Sequence, residues 1–235
     1  MFKKLVASAL FAGFAAGLIA ILLQLAFVQP LLLEAELYES GEMVHFGEAK
    51  PHDHGSHDHS HDGAAEGDAF GLGRNGLSAV FSIFVYVGYA LMLVAGFAMT
   101  EMRGATINAR TGFMWGLAGF AAFQLVPSIG LPIEVPGSAA ADLQGRQIWW
   151  FGTVIATAAG LWLLGYGKGW ALYAAAAVLI LLPHLIGAPH PDAYQGPTPP
   201  ELASLFASRA LAVALVGWAI LGSLAGYFWE KENKI

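Results

Sequence analysis

Six of the eight histidines in this chain fall within one short polar stretch between two apolar runs. These histidines are His45, His52, His54, His57, His59 and His61. Aspartates are interspersed among them, and neutral imidazole and carboxylate are ligands of divalent transition metals. In extended backbone, residues two apart point to the same side, so a closely spaced histidine pair is able to chelate a metal without a folded scaffold. The pattern predicts a metal-collecting loop.

The same composition is also typical of a solvated, disordered loop that holds no ligand. The tract specifies no rigid tetrahedral site, and its affinities should follow the Irving–Williams order, which favours copper, nickel and zinc over cobalt. The tract therefore predicts binding of divalent metals without selectivity for cobalt. Because the chain has no cysteine, it has no thiolate metal site, no disulfide framework and no iron–sulfur cluster.

Four further residues near the ends of apolar runs have the chemistry of metal ligands. His184 lies within an apolar span, where an imidazole is costly unless it faces a cavity or a partner; a satisfied structural histidine is the alternative. His190 and Asp192 follow in a Pro-His-Pro-Asp segment that offers nitrogen and oxygen ligands. Glu36 lies seven residues after Gln29, on the same face if the helix continues between them. Its alternative is a solvated acidic surface.

Composition identifies an integral membrane protein. The chain has 235 residues, of which 57% are hydrophobic and 12% charged, against roughly 45–50% and 25% in soluble domains. No basic patch of the nucleic-acid-binding type is present, so no nucleic-acid partner is expected. The sequence contains no phosphate-binding loop of the G-x-x-x-x-G-K-[ST] type, no H-E-x-x-H and no convincing nucleophile elbow. These absences favour a transporter over an enzyme.

Apolar runs of about 18 residues or more predict an all-α fold with about six membrane-spanning helices. The predicted spans are residues 5–33, 77–100, 111–130, 147–166, 170–187 and 204–229. The first run is too long for a signal-peptide core, so it is predicted to be an uncleaved span. The predicted organisation is a first span in residues 1–33, an external histidine-rich loop in 34–76 and a five-helix membrane bundle in 77–235.

Two patterns within the spans predict how the helices pack and where their ends lie in the membrane. Small residues recur at four-residue spacing at Ala9, Gly13 and Gly17, and predict the close approach of another helix. Trp149 and Trp229 fall near the ends of spans, where aromatic side chains commonly lie at the membrane–water interface.

Two further features each have two interpretations. Arg209, in the apolar part of the last span, is interpreted as a snorkelled side chain or as a structural counter-ion to one of three carboxylates, Glu201, Glu34 and Glu36. Segments 127–132 and 183–189 resemble one another at the ends of the third and fifth spans. They predict either two hairpin repeats with interrupted helices or simple helix termination by proline and glycine.

The placement of lysine and arginine predicts the orientation of the chain, because positive charge accumulates on the cytoplasmic side. With the amino terminus inside, seven basic residues lie on the cytoplasmic side and three outside, with Arg209 within a span. The seven are Lys3, Lys4, Arg103, Arg110, Lys168, Lys231 and Lys234. This topology places every histidine on the outer side or in the outer half of the membrane. The chain is expected in the bacterial inner membrane, in contact with lipid.

Five segments, taken in order, carry a family resemblance. They are the Gln-x-x-x-x-Gln-Pro and acidic stretch at 24–39, the histidine tract, Gly130-Leu131-Pro132-x-Glu134-x-Pro136-Gly137, Arg146-Gln147-x-Trp149-Trp150, and Pro183-His184-Leu185-Ile186-Gly187-Ala188-Pro189. Together they resemble the CbtA family of predicted cobalt transporters. The resemblance implies cobalt uptake linked to cobalamin synthesis, often beside a small, one-span, histidine-containing partner of the CbtB type.

Combined with the residue chemistry, this resemblance predicts an inner-membrane permease for Co²⁺ with an external metal-collecting loop. Divalent metal is expected as the transported substrate, and no permanently bound cofactor is expected. The ligand set would serve a nickel or zinc permease equally well. A protein of another class, a membrane metal-binding scaffold that does not itself transport, is the remaining alternative.

The charge asymmetry generates a test of topology. We expect a reporter fused after Ile235 to be active only in the cytoplasm, and one inserted within residues 55–65 only outside, because seven of the flanking basic residues favour that orientation. Paired alkaline phosphatase and fluorescent-protein fusions measure this directly. The opposite pattern at either site would overturn the predicted topology.

Overall fold

The fold is a bundle of antiparallel helices in a computed structural model that describes residues 2–45 and 72–232. Every regular element of these described residues is helical. The elements are α1 (Phe2–Leu23), α2 (Gln29–Glu39), α3 (Leu72–Glu101), α4 (Ala109–Phe120), α5 (Val126–Gly130), α6 (Leu143–Tyr166), α7 (Trp170–Ile186) and α8 (Pro200–Glu232). The histidines between 52 and 61 lie outside the described residues.

The predicted all-helical membrane fold is confirmed. Five of the helical stretches within the described residues are long and apolar enough to cross a membrane. They are Lys3–Glu39, Gly76–Glu101, Ala109–Gly130, Leu143–Tyr166 and Pro200–Glu232. The remaining predicted span, the fifth (residues 170–187), corresponds to α7, which is apolar but has only 17 residues. The stretch Lys3–Glu39 has 37 residues and a length of roughly 55 Å, so part of it extends beyond a hydrocarbon core about 30 Å thick.

Two prolines that could have ended helices instead follow π-helical turns. A π segment (Gln24–Val28) joins α1 to α2 just before Pro30, and another (Ala121–Leu125) joins α4 to α5 just before Pro127. In a regular α-helix, a proline ring clashes with the carbonyl four residues earlier. The wider π turn shifts the hydrogen bonding by one residue and moves that carbonyl away. The helices therefore continue through both prolines.

The two ends of the described chain lie at the same end of the bundle, here called the terminal end. The Lys4 ammonium lies 3.2 Å from the Glu101 carboxylate and 3.7 Å from the centroid of the Trp229 ring. Trp229 donates its indole N–H to the same carboxylate over 3.3 Å. This cluster fastens the start of α1 to the ends of α3 and α8. Trp229 is fully buried, so its predicted place in an interfacial aromatic belt is wrong.

A cluster of buried apolar side chains joins α1, α3, α4 and α8 and forms the main core. Aromatic rings dominate its centre. Trp218 of α8 packs against Tyr89 and Phe123 with ring centroids 4.6 and 5.5 Å apart, and Phe97 packs edge-on against Trp115. Outside this core, α6 packs mainly against α7.

Helices α4 and α8 are held at backbone contact by two pairs of glycines. Gly112 and Gly116 face Gly222 and Gly226, and all four residues are buried. A Cβ atom added at any of the four would overlap backbone atoms of the opposite helix. Because the overlapping atoms belong to the backbone and not to flexible side chains, the overlap is relieved only if the two helices move apart. The spacing is the small-xxx-small pattern that permits close helix association in membranes.

The small residues at four-residue spacing in the first span also form a helix contact, as predicted. Gly13 faces the backbone of Val87, and Gly17 faces Ile83, with the Ile83 Cα 2.9 Å from a Cβ added at Gly17. The proposed hairpin repeats, in contrast, are not equivalent in packing. The hairpin of α6 and α7 is a packed pair, whereas α3 packs mainly on α1 and α4 mainly on α8.

Replacing a helical glycine by alanine should have opposite effects on stability inside and outside the α4–α8 contact. Gly116→Ala should lower the free energy of unfolding by about 1–3 kcal/mol, because the added methyl overpacks the Trp218 carbonyl. Gly152→Ala is the matched control, since a Cβ there meets nothing within 4 Å and alanine is the better helix former. Thermal unfolding in detergent measures both. Equal responses would contradict backbone contact between α4 and α8.

Candidate functional site

Three segments that are distant in sequence meet at the loop end, the end of the bundle opposite the terminal end. They are the end of α5 at Gly130, the first turns of α6 at Trp149 and the last turn of α7 at Pro183 and His184. A Cβ added at Gly130 would overlap the Trp149 ring and come within 2.9 Å of the Ala188 methyl. The absence of a side chain at Gly130 therefore makes room for the tryptophan.

Trp149 holds α6 and α7 together at this point. Its indole N–H donates to the carbonyl oxygen of Pro183 over 3.0 Å, and the bond is buried. The same carbonyl also accepts the Gly187 N–H over 3.1 Å, so Trp149 adds a second donor, and a buried hydrogen bond of this kind contributes about 0.5–1.5 kcal/mol. Trp149 is 9% exposed, so its ring packs mainly against protein and not against lipid headgroups, as an aromatic belt would require. No local sequence pattern connects positions 149 and 183, because the pairing arises from helix packing.

His184 presents an unsatisfied nitrogen at the same place. Its ring packs edge-on against Trp149, with centroids 5.6 Å apart. The Nε2 atom is buried and has no hydrogen-bond partner among the described residues. Buried polar atoms are usually paired, so an unpaired imidazole nitrogen requires an explanation such as a ligand or an ordered water. Neutral imidazole is a common metal ligand, and this nitrogen has the right chemistry.

The loops next to this cluster are fixed by polar contacts. Arg146 of α6 donates to the Glu134 carboxylate over 3.0 Å, and Asp142 caps α6 by accepting the Gly145 N–H over 2.8 Å. The Ala139 N–H donates to the Gln195 carbonyl over 2.8 Å, which joins the loop after α5 to the loop after α7. These contacts join the loops after α5 and α7 and the start of α6 into one region, here called the platform.

The end of the first helix belongs to this platform as well. A second apolar cluster contains Val28, Leu31 and Ala35, together with Val135 of the loop and Leu202 of α8. Glu36 follows Ala35 on α2 and is half-buried. Because α2 continues past Pro30, Gln29 and Glu36 lie on one helix, two turns apart, as the sequence suggested. The segments that carry the family resemblance within the described residues thus meet at one end of the molecule.

The structure does not gather the other candidate ligands around His184. Within residues 2–45 and 72–232, no group of three His, Asp or Glu side chains is placed to hold a metal ion. His190 and Asp192 are exposed, and the His190 Nδ1 atom lies 3.1 Å from the carbonyl oxygen of its neighbour Pro191. His45 is exposed after the end of α2. A metal at His184 would therefore need ligands from water, backbone or residues outside the described ranges.

Arg209 occupies a different position from this cluster. One guanidinium nitrogen lies 3.4 Å from the carbonyl oxygen of Phe27, in the first π segment. The suggested ion pairs with Glu201, Glu34 and Glu36 do not form among the described residues, and Arg209 is exposed beside an apolar groove between α1 and α8. A π turn changes the backbone bonding pattern, so a carbonyl in that turn is a natural acceptor for this cation.

The chain was compared with known proteins. A family model described as "Probable cobalt transporter subunit (CbtA)" matches residues 2–230, nearly the whole chain. No curated protein and no solved structure matches the chain.

The geometry at His184 predicts two different effects on stability. Trp149→Phe should lower the free energy of unfolding by about 0.5–1.5 kcal/mol, because it removes a buried hydrogen bond to the Pro183 carbonyl, which then keeps only the Gly187 N–H as donor. His184→Phe should be neutral or stabilising, because it keeps a ring against Trp149 and removes a buried nitrogen that has no partner. Thermal unfolding of the metal-free protein in detergent separates them. An equal loss for His184→Phe would mean that the imidazole makes a structural hydrogen bond.

Proposed function

The chain belongs to the CbtA family of probable cobalt transporter subunits, and we propose that it is a bacterial inner-membrane permease subunit for uptake of Co²⁺. In this proposal the metal enters from the loop end, and the amino terminus is cytoplasmic. The histidine tract of residues 45–62 collects metal on the outer side. A CbtB-type protein with one span is the proposed partner, and cobalamin synthesis is the proposed use of the metal.

The observation that carries the proposal is the unpaired Nε2 atom of His184 inside the platform at the loop end. Segments of the family resemblance converge there, although they are far apart in sequence. An intramembrane ionisable residue that has no structural partner is a candidate for a substrate path. Divalent cobalt binds imidazole nitrogen and oxygen ligands, and both kinds are available near this end.

A transported ion has to be bound weakly enough to leave again, so an incomplete protein shell suits transport better than a closed site. Pro183 has no N–H, and the carbonyl four residues earlier, at Leu179, therefore lacks its usual helical donor. We propose that His184 supplies the nitrogen ligand and that water and backbone oxygens complete the shell. Glu36 is the proposed acidic group near the path. His190 and Asp192 are proposed to bind metal transiently before it reaches His184.

The driving force for uptake is available without ATP. An inward-directed divalent cation gains about 2.3 kcal/mol per charge for each 100 mV of membrane potential. In the described residues, 2–45 and 72–232, Lys4 and Glu101 form an ion pair at the terminal end and Arg209 lies beside α1. The ion pair is neutral overall, but the positive charge of Arg209 is unfavourable for a bare divalent cation, so passage beside Arg209 is proposed to require hydration or the partner subunit.

A second function, metal capture and delivery without transport, is favoured by one observation. The described part of the chain contains no set of three metal ligands and no continuous row of ionisable residues from one end to the other. A subunit of this kind would hand its metal to a transporting partner. Nickel or zinc in place of cobalt would be consistent with the same ligand types.

Uptake into liposomes that contain only the purified chain distinguishes these functions. An imposed potential, negative inside, should draw cobalt into the vesicles, and protein-free vesicles give the background. Co-reconstitution with a CbtB-type protein tests the partner. Influx only with the partner would support the capture function, and influx of nickel or zinc in preference to cobalt would change the proposed substrate.

We expect the two histidine groups to affect different kinetic quantities. His184→Ala should lower cobalt uptake at every metal concentration, because a ligand on the path contributes to each passage. Replacing all five of His52, His54, His57, His59 and His61 by serine should slow uptake only when metal is scarce. Its effect should grow from pH about 5 to 7.5, because imidazole, with a reference pKa near 6.5, binds metal only when neutral.

Initial rates against free cobalt at two pH values measure both effects, and His184→Gln is the control that keeps polarity. Uptake by His184→Ala equal to the parent would remove the histidine from the path. A lowered maximum rate of the five-serine variant that excess cobalt does not restore would make the tract part of the path.

A further inference from the structure

A partly open apolar groove lies between α4 and α6, away from the candidate metal site. Its volume is about 600 Å³, within the range of ligand-binding pockets. Its walls include the rings of Trp115, Trp162 and Tyr166, and Tyr89 and Trp218 lie at its base. Small residues of α4, the second π segment and α6 line the groove and leave space between the helices, namely Ala118, Gly119, Ala122, Ala158 and Gly165.

The groove opens toward the membrane-facing surface of the bundle. Met114 and Ile155, which line it on opposite helices, are 60% and 68% exposed. Helices α4 and α6 contact each other only sparsely, while α6 packs against α7. At this level of the bundle, few protein contacts therefore hold α6 against α4.

The terminal end of the groove is aromatic and basic. Trp115 donates its indole N–H to the Tyr166 hydroxyl over 3.2 Å, and the Arg103 guanidinium lies 5.3 Å from the centroid of the Trp162 ring. Arg110 lies one helical turn before Met114, on the same face of α4. Lys168 follows two residues after Tyr166, at the end of α6.

Charge at this end favours an anion. All three cations beside the groove, Arg103, Arg110 and Lys168, are exposed. Glu101 is engaged by Lys4 and Trp229 on the far side of α3. In the described residues the terminal end carries six basic side chains and three acidic ones, Glu101, Glu230 and Glu232, so its net charge is positive.

From this geometry we infer that the groove is a binding site for an anionic phospholipid. One acyl chain lies along the apolar walls, and the phosphate lies among Arg103, Arg110 and Lys168. Basic pockets between membrane helices commonly bind anionic headgroups. A partner helix fits less well, because a spanning helix about 10 Å wide and 30 Å long occupies roughly 2,400 Å³, four times the groove. The lipid would bridge α4 and α6 where protein contacts are few.

Quenching of tryptophan fluorescence by brominated phospholipids tests the site. The purified chain is placed in vesicles with increasing brominated phosphatidylglycerol or brominated phosphatidylcholine. We expect stronger quenching by the phosphatidylglycerol, because Trp115 and Trp162 line the groove. Trp162→Phe should reduce this preference, whereas Trp170→Phe should leave it, since Trp170 is 82% exposed at the start of α7 and does not line the groove.

Charge variants locate the headgroup. Arg103→Gln should weaken the relative affinity for phosphatidylglycerol about fivefold, the effect expected of one basic residue near an anionic surface. The triple variant with Arg110→Gln and Lys168→Gln should abolish the preference. Lys231→Gln, at the same end but on α8, is the matched control and should leave it unchanged.

Three outcomes would overturn the inference. They are equal quenching of the parent by both lipids, a preference that survives the triple charge variant, and an equal loss of preference in Lys231→Gln, which would indicate a general surface effect. Protection of Trp162 from both lipids by a co-purified membrane protein would assign the groove to a partner helix instead. None of these readouts depends on metal transport, so they test the lipid site independently of the proposed function.

Discussion

Backbone contact between α4 and α8 is the constraint on which the rest of the bundle depends. A membrane interior offers helices little hydrophobic gain from association, so close van der Waals packing has to supply it. Gly112, Gly116, Gly222 and Gly226 provide that contact because no side chain at these four positions separates the two backbones. With α8 fixed in this way, Trp218 reaches the aromatic centre of the core, and the end of α8 reaches the cluster of Lys4 and Glu101.

The two ends of the bundle differ in how their polar groups are satisfied. At the terminal end, Lys4, Glu101 and Trp229 satisfy one another directly. At the loop end, the Trp149 indole and the Gly187 N–H both donate to the Pro183 carbonyl, but the adjacent His184 Nε2 atom has no partner among the described residues. Among the buried side-chain atoms that have no hydrogen-bond partner in the described residues, His184 Nε2 is the one imidazole nitrogen; the others are hydroxyl oxygens, of Ser8, Thr157 and Thr198. Because neutral imidazole is a common metal ligand, this nitrogen is the physical basis for the proposal of metal capture at the loop end.

Prolines contribute to that difference without ending their helices. Pro30 and Pro127 each follow a π turn, which lets the chain continue and changes which carbonyls are bonded. The first π turn presents the Phe27 carbonyl to Arg209, and the second carries α5 to Gly130 beside Trp149. The two π turns thus position both the Arg209 side chain and the wall of the candidate site at Gly130.

The sequence by itself determined the class of the protein, because apolar runs long enough to span a bilayer require helices whatever they pack against. It also predicted the close helix contact at Gly13 and Gly17, and it identified His184 as an imidazole in an apolar setting. Tertiary structure alone decided that Trp149 pairs with Pro183, that Trp229 lies buried beneath Lys4, and that Arg209 contacts a carbonyl. The physical reason is that residue spacing reports which face of a helix is apolar, whereas the identity of the opposite helix follows from many weak contacts summed over the whole bundle.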